Sequence, residues 1–201
     1  HRYLVCRRCC CIMLNTISGL LSGAAPLITD YESIQTVSVG SGGAASVSFT
    51  SIPSTYTHLQ IRGISRVSTG GGSGTVSLQL NFNSDTGTNY TSNHVLYGTG
   101  SSALAAASGT SMALGSIVNF PQSSATANAF GVVVADILDY ANTNKYKTVR
   151  GLGGYDGNDT NGIVTFRSFA WMNTAAISNI TFTSGSGDFA QYSSFALYGI
   201  K

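Results

Sequence analysis

Apolar and polar residues alternate with a period of two along most of the chain. The clearest example is the segment TVSLQLNF at residues 75–82, in which every second residue is apolar. Successive side chains of a β-strand point to opposite faces, so this pattern predicts a strand with one buried face and one wet face. The same period, in stronger or weaker form, predicts strands near residues 34–39, 46–50, 58–62, 94–97, 112–120, 130–138, 146–152, 163–171, 180–182 and 195–197.

The segments between these strands are rich in residues that favour turns. Residues 83–87 (NSDTG), 142–145 (NTNK) and 156–162 (DGNDTNG) combine Asn, Asp and Gly, which reach positive φ or bond their own backbone. Many short strands joined by such turns, with no helical period between them, predict an all-β protein. We expect an antiparallel β-sandwich over residues 33–201, most consistent with a jelly roll. Residues 130–138 are apolar on both faces as far as Asp136, which predicts a central strand.

Residues 1–32 lack this alternation and are predicted to form an extended or short-helical N-terminal arm. Leu14, Ile17 and Leu21 have the spacing of one helical face. Residues 13–28 are mostly apolar, but polar residues, glycines and a proline interrupt them. Because a transmembrane helix needs about 20 consecutive apolar residues, we expect no membrane span here.

Charged residues make up only 9% of the chain and are unevenly placed. The formal net charge is +2, but Arg2, Arg7 and Arg8 supply three of the ten basic residues. The other seven basic residues stand against eight acidic ones, a balance of −1. Because no basic stripe is left to neutralise phosphates, we expect no binding to nucleic acid.

The four cysteines lie close together at Cys6, Cys9, Cys10 and Cys11. They include a C-x-x-C pair, but neither the second ligand pair of a zinc site nor the βαβ pattern of a redox motif follows. An arginine pair before an apolar run also resembles a signal peptide, although Pro26 makes a poor cleavage site. The interpretation we favour is initiation at Met13, with residues 1–12 an upstream extension.

The search for catalytic groups gives little. Serine is abundant, yet no G-x-S-x-G elbow occurs. His94 and Asp85 could be combined with a serine into a catalytic triad, but we favour structural roles for these residues. We expect His58 to be a hydrogen-bonded structural histidine. The odd spacing of Asp136 and Asp139 sends them to opposite faces of one strand, so they cannot form the carboxylate pair of a glycosidase.

One loop resembles a calcium site. Asp156, Asn158 and Thr160 stand at its first, third and fifth positions, but the glycine is at the seventh position and no glutamate stands at the twelfth. We therefore expect a turn here. Across the whole chain we expect no catalytic, cofactor-binding or metal-ligating residue.

Tyrosine is frequent, with ten residues. Five of them fall in or beside predicted loops, at Tyr31, Tyr90, Tyr140, Tyr155 and Tyr192. Exposed aromatic rings among Asn and Ser suit either a carbohydrate or a protein interface. Of these, an interface between copies of this chain is the one we favour.

Several short motifs follow one another over residues 31–201. They are IPSTY at 52–56 with HL at 58–59, FN at 82–83 with DTG at 85–87 and NY at 89–90, DY at 139–140 with NTNK at 142–145, Trp171 with NT at 173–174 and AI at 176–177, and the ending SFALYGIK at 194–201. In this order they resemble a group of tailed-bacteriophage virion proteins. Those proteins are small jelly-roll modules described as fibre, decoration or structural proteins, and the group has no catalytic motif to transfer.

The resemblance implies a non-enzymatic structural protein located in the virion. We expect a capsid decoration or cement protein that forms homo-oligomers, as trimers, and that binds the major capsid protein or another virion protein through residues 13–28. The alternative is a receptor-binding tip or short tail fibre, in which the loops with Tyr90, Tyr155 and Asp156 bind host surface glycan. A free-standing secreted lectin or hydrolase ranks third.

Overall fold

A computed structural model describes residues 30–69, 74–91, 94–99, 102–107, 111–158 and 162–201. Every regular element in these ranges is a β-strand, so the all-β prediction is confirmed. The twelve strands of the described residues are β1 (Tyr31–Ser38), β2 (Ser46–Phe49), β3 (His58–Ser65), β4 (Thr75–Phe82), β5 (His94–Thr99), β6 (Ser102–Ala107), β7 (Gly115–Pro121), β8 (Gly131–Ile137), β9 (Lys147–Tyr155), β10 (Ile163–Trp171), β11 (Ile180–Ser184) and β12 (Ser194–Ile200).

Two antiparallel sheets form the body. The large sheet has the order β1-β12-β3-β8-β9-β10-β5-β6, and the small sheet has the order β2-β11-β4-β7. When the hairpins β5–β6 and β9–β10 are set aside, the other eight strands, renumbered along the chain, have the orders 1-8-3-6 and 2-7-4-5. This is the interlocked double Greek key of a jelly roll, and the β-sandwich prediction is confirmed. Both hairpins extend the large sheet beyond that core.

Eleven of the strands lie where the alternation predicts them, and β6 is the exception. Its sequence SALAAA has no alternation and little β propensity. Among the described residues, the first strand begins at Tyr31. The helical turn predicted from Leu14, Ile17 and Leu21, and most of the glycine-rich tip at 70–74, lie outside the described residues.

Aromatic rings from both sheets meet in the core. Phe195 of β12 stacks on Phe182 of β11 with ring centroids 5.3 Å apart and an interplanar angle of 10°. Phe189 meets the edge of the Phe195 ring at 5.3 Å, and Phe120 of β7 lies at 6.3 Å. All four rings are buried. Each such pair contributes about 0.5–1.5 kcal/mol beyond the burial of its area, so Phe195 links the two sheets.

In the middle of strands β9 and β10, small and polar residues face inward. A Cβ at Gly151 of β9 would lie 2.1 Å from Cγ2 of Ile117 on β7, so only glycine allows this approach between the sheets. On β10, Thr165 is fully buried, and the Arg167 guanidinium donates to Asn119 Oδ1 at 2.7 Å and Ser116 Oγ at 2.9 Å on β7. Since side chains alternate along a strand, the apolar residues of β9 and β10 that lie between these positions must face outward.

Candidate functional site

Asp85 has structural partners in the loop that follows β4. Its carboxylate accepts hydrogen bonds from Trp171 Nε1 at 2.7 Å, Asn89 Nδ2 at 2.9 Å and the Gly87 backbone N–H at 2.9 Å. Burial acts to raise the pKa of Asp85, but the bonds from Asn89, Trp171 and Gly87 outweigh it and hold the pKa below its ordinary value. The side chain of His94 is not among those described, so a catalytic triad of His94 and Asp85 with a serine stays a prediction.

The motif that begins at Asn83 also holds loops in place. Asn83 Oδ1 accepts the backbone N–H groups of Ser178 at 2.9 Å and Asn179 at 3.1 Å, while its Nδ2 donates to the Ala176 carbonyl at 2.8 Å. Asn83 itself has a positive φ of 53°, which asparagine tolerates better than most residues. Several residues that support the family resemblance are therefore explained by loop geometry.

His58 and Asp139 meet at the end of β8, as the structural reading of His58 predicts. The Asp139 backbone N–H donates to His58 Nδ1 at 3.0 Å, and Lys145 Nζ donates to the Asp139 carboxylate. The hydrogen bond from Lys145 is the main reason that the pKa of Asp139 is lowered. Asp136 has a different partner, because its carboxylate accepts from Gln60 Nε2 at 2.9 Å. The two carboxylates therefore have separate hydrogen-bond partners.

Lys147 is a buried lysine that the sequence analysis does not single out. It is fully buried, and its Nζ donates to the carbonyl oxygens of Asn142, Lys145 at 2.9 Å and Thr174 at 3.0 Å. Burial lowers the pKa of Lys147, and the charge of Lys145 acts in the same direction. All three N–H donors of the ammonium are satisfied, which fixes the loop between β8 and β9. Its inward position in the alternation of β9 is the signal that could have revealed it.

The calcium-like loop has the geometry of a turn where it is described. Asp156 Oδ1 accepts the Asn158 backbone N–H at 2.8 Å, which is an Asx turn. Thr160 lies outside the described residues. Within the described ranges, no group of three or more His, Cys, Asp or Glu side chains is placed to hold a metal ion.

The expectation of exposed tyrosines is wrong for three of the five. Tyr90 and Tyr140 are fully buried, and Tyr155 is 7% exposed. Tyr90 packs beside Trp171 in the core, and its hydroxyl accepts the Phe82 backbone N–H at 2.8 Å. Burial raises the pKa of Tyr90 to about 12. Position beside a turn does not decide exposure, because the ring of a loop residue can close the end of a sandwich.

Tyr31 and Tyr192 remain accessible in different degrees. Tyr192 is 74% exposed, whereas Tyr31 is half-buried at the edge of the large sheet. There the Tyr31 ring stacks on Tyr198 at 4.9 Å, and the Arg62 guanidinium lies over both rings at 5.3 Å and 5.6 Å. The outer surface of the sheet is therefore bordered on one side by an aromatic and cationic cluster.

The main unexplained feature is an exposed apolar surface on the outside of the large sheet. Strand pairing aligns its side chains in two rows that cross the sheet. The first row is Val134–Leu152–Phe166–Leu96, and the second is Ile64–Val132–Gly154–Val164–Gly98. Seven of these side chains are large, apolar and between 40% and 62% exposed. We call Ile64, Leu96, Val132, Val134, Leu152, Val164 and Phe166 the apolar face.

The apolar face is a continuous exposed patch rather than a set of isolated apolar residues on the surface. Seven side chains that are each about half exposed present on the order of 600 Å² to solvent, at the upper end of the largest patch on a typical monomer. A continuous patch of that size marks an interaction surface more often than a solvated one. The sequence analysis does not predict it, although residues 130–138 already show apolar positions on both faces.

Gly154 gives the apolar face its shape. It stands between Val132 and Val164 in the second row, and without a side chain it leaves a shallow depression of about 400 Å³. Its φ is +149°, and a Cβ there would lie 2.0 Å from the Ile163 carbonyl oxygen. Only glycine fits this conformation and this contact. Residues of both rows line the depression: Val134 and Leu152 of the first, and Val132, Gly154 and Val164 of the second.

Comparison with known proteins adds no identification. No protein-family model matches the chain, and no curated protein matches it significantly. Among the described residues, no helix combines the length and the apolar character that crossing a membrane requires.

Proposed function

We propose that this chain is a non-enzymatic structural protein of a tailed-bacteriophage particle. Its closest fit is a capsid decoration or cement protein that packs against other copies of itself and is attached through residues 13–28. The observation that supports this most is the apolar face, since an exposed apolar surface of this size often marks a site of contact with another protein. The family resemblance of residues 31–201 supplies the viral setting.

Two further properties support an assembly role. A jelly roll protects its sheet edges and is frequent in viral shells. The low charge fraction also favours close packing, because neighbouring copies with little net charge repel each other weakly. Residues 13–28 contain no charged residue and are mostly apolar, which suits attachment by burial.

The experiment that tests the proposal is the composition of purified particles. Mass spectrometry should find the chain in virions of the phage that encodes it, and labelled antibody should mark the capsid in electron micrographs. A variant lacking residues 13–28 should keep its β circular dichroism spectrum and be lost from the particles. Absence of the full chain from purified particles would overturn the proposal.

The receptor-binding alternative has less structural support. Two of its three named residues, Tyr90 and Tyr155, are buried, whereas Asp156 is exposed. Its test is competition: purified full chain at saturation should reduce adsorption of the phage to its host, and antibody should mark the tail tip. Label on the capsid without competition would exclude this alternative.

A further inference from the structure

We infer that the apolar face is the contact between two copies of this chain. The two copies are related by a two-fold axis that lies between their large sheets, runs perpendicular to the strands and passes over β9 at Gly153. The inference rests on the proposed function for its biological setting and names the partner of that surface. Three features of the apolar face lead to a second copy as the occupant: the sizes of its side chains, its flanking charges and its area.

The sizes of the side chains in the two rows are complementary. A two-fold axis across the strands at Gly153 places the first row of one copy on the second row of the other. Leu152 then lies over Gly154 of the second copy and enters the depression there. Phe166 similarly lies over Val164, and Leu96 over Gly98. A larger side chain meets a smaller one in these three pairs, while on β8 Val134 lies over Val132. Such differences in size favour close packing between two sheets about 10 Å apart.

The charges that flank the apolar face are also complementary under this axis. Arg150 and Asp156 are both exposed and lie three residues on either side of Gly153. The axis therefore brings Arg150 of each copy opposite Asp156 of the other, forming two equivalent ion pairs. Residues 13–28 are the competing occupant from the same chain, but they contain no charged residue that could pair with either group.

The area is sufficient for a specific contact. The apolar face offers on the order of 600 Å², and the flanking polar residues bring it close to the ~800 Å² per partner of a standard interface. A two-fold interface uses the same patch on both copies and closes on itself, so the apolar face of each copy is covered by that of the other. A trimer built on this patch would instead need a second, different surface on each copy.

The test is the mass of the full chain in solution as a function of concentration, measured by sedimentation equilibrium. The wild type should be a dimer at micromolar concentration. Leu152→Glu should weaken the dimer by more than about 100-fold, because the glutamate would enter an apolar depression. The control is Tyr192→Glu, which changes an exposed aromatic residue outside the apolar face and should leave the dimer intact. Circular dichroism and thermal melting check that each variant is folded.

A charge exchange tests the symmetry itself. Arg150→Asp alone should weaken the dimer at least about tenfold, since it places two carboxylates opposite each other. The double variant Arg150→Asp/Asp156→Arg restores opposite charges in both pairs and should recover most of the affinity.

Three results would overturn the inference. The first is a wild type that is monomeric at all concentrations, which would mean that residues 13–28 or another protein cover the apolar face. The second is a dimer or trimer that survives Leu152→Glu. The third is a double variant that dimerises no more tightly than Arg150→Asp alone. If the chain is found in particles but fails these tests, the proposed function stands and the two-fold contact does not.

Discussion

Replacing Gly151 with alanine tests the close approach that turns Leu152 outward. A Cβ at this position would lie 2.1 Å from Cγ2 of Ile117, on the facing strand β7. Nonbonded carbon atoms prefer separations of about 3.5–4.0 Å, so the strands must move apart by about 1.4 Å or Ile117 must leave its rotamer. Overpacking of this kind costs about 1–3 kcal/mol. For a protein of this size the melting temperature should fall by about 2–12 °C.

The assay is thermal unfolding followed by circular dichroism, together with urea unfolding followed by the fluorescence of Trp171, the only tryptophan. Gly40→Ala is the matched control, because a Cβ at Gly40 meets nothing within 4 Å. This control should leave stability unchanged or raise it by up to about 1 kcal/mol, through the lower entropy of the unfolded chain.

A double variant identifies Ile117 as the source of the cost. Ile117→Ala alone leaves a cavity and should destabilise by about 2–5 kcal/mol. In the double variant the two changes compensate, so the total loss should be smaller than the sum by about 0.5–3 kcal/mol. A fully stable Gly151→Ala variant, or strict additivity in the double variant, would refute the account of how β9 packs on β7.

Three further predictions concern the loops and the core. Lys147→Met should destabilise the protein by about 2–4 kcal/mol in urea unfolding, because three carbonyl oxygens lose their donor. Lys145→Met, at an exposed site in the same loop, should have little effect. Equal losses in the two variants would contradict the role of Lys147 in fixing the loop between β8 and β9. Asp85→Asn should flatten the acid side of the curve of stability against pH. The pKa of Asp85 is lowered in the folded protein, so its ionised form stabilises the wild type above the ordinary pKa of 3.8, and that stability is lost as the pH falls through the folded value. An unchanged curve measured by Trp171 fluorescence would count against this. Phe195→Ala should cost about 3–5 kcal/mol because it empties the stack between the sheets, and a loss below 1 kcal/mol, measured in the same way, would place Phe195 outside the core.

Much of the fold could be predicted because its signals are local. The alternation in β4 and the turn residues at 83–87 act within a few positions, so both are visible in the sequence. β6 has no such signal, since its Ala and Ser residues show no period, and its pairing with β5 supplies the missing backbone hydrogen bonds. The burial of Tyr90 was also hidden, because its ring packs on Trp171, which is distant in the sequence. For Lys147, the alternation of β9 indicates an inward position, but the carbonyl of Thr174 that completes its hydrogen bonds comes from a distant segment.

The resemblance motifs show the same division. Asn83 and Asp85 stand out in the sequence as turn residues, and the structure shows that each holds a loop through hydrogen bonds. The apolar face, where we place the function, uses residues outside all of those motifs.

The sequence by itself determined that this chain is built of β-strands, because a period of two admits no other regular structure. The many short strands joined by turns then favoured an antiparallel sandwich. It could not determine which side of β9 and β10 is the inside. Alternation shows only that neighbouring residues point in opposite directions, and both sides of these strands carry apolar groups. The tertiary structure decides the matter through Gly151, which lets β9 approach Ile117, and through Arg167, whose partners lie on β7. With glycine and arginine inside, Leu152 and Phe166 are left outside, where packing on another copy would bury them.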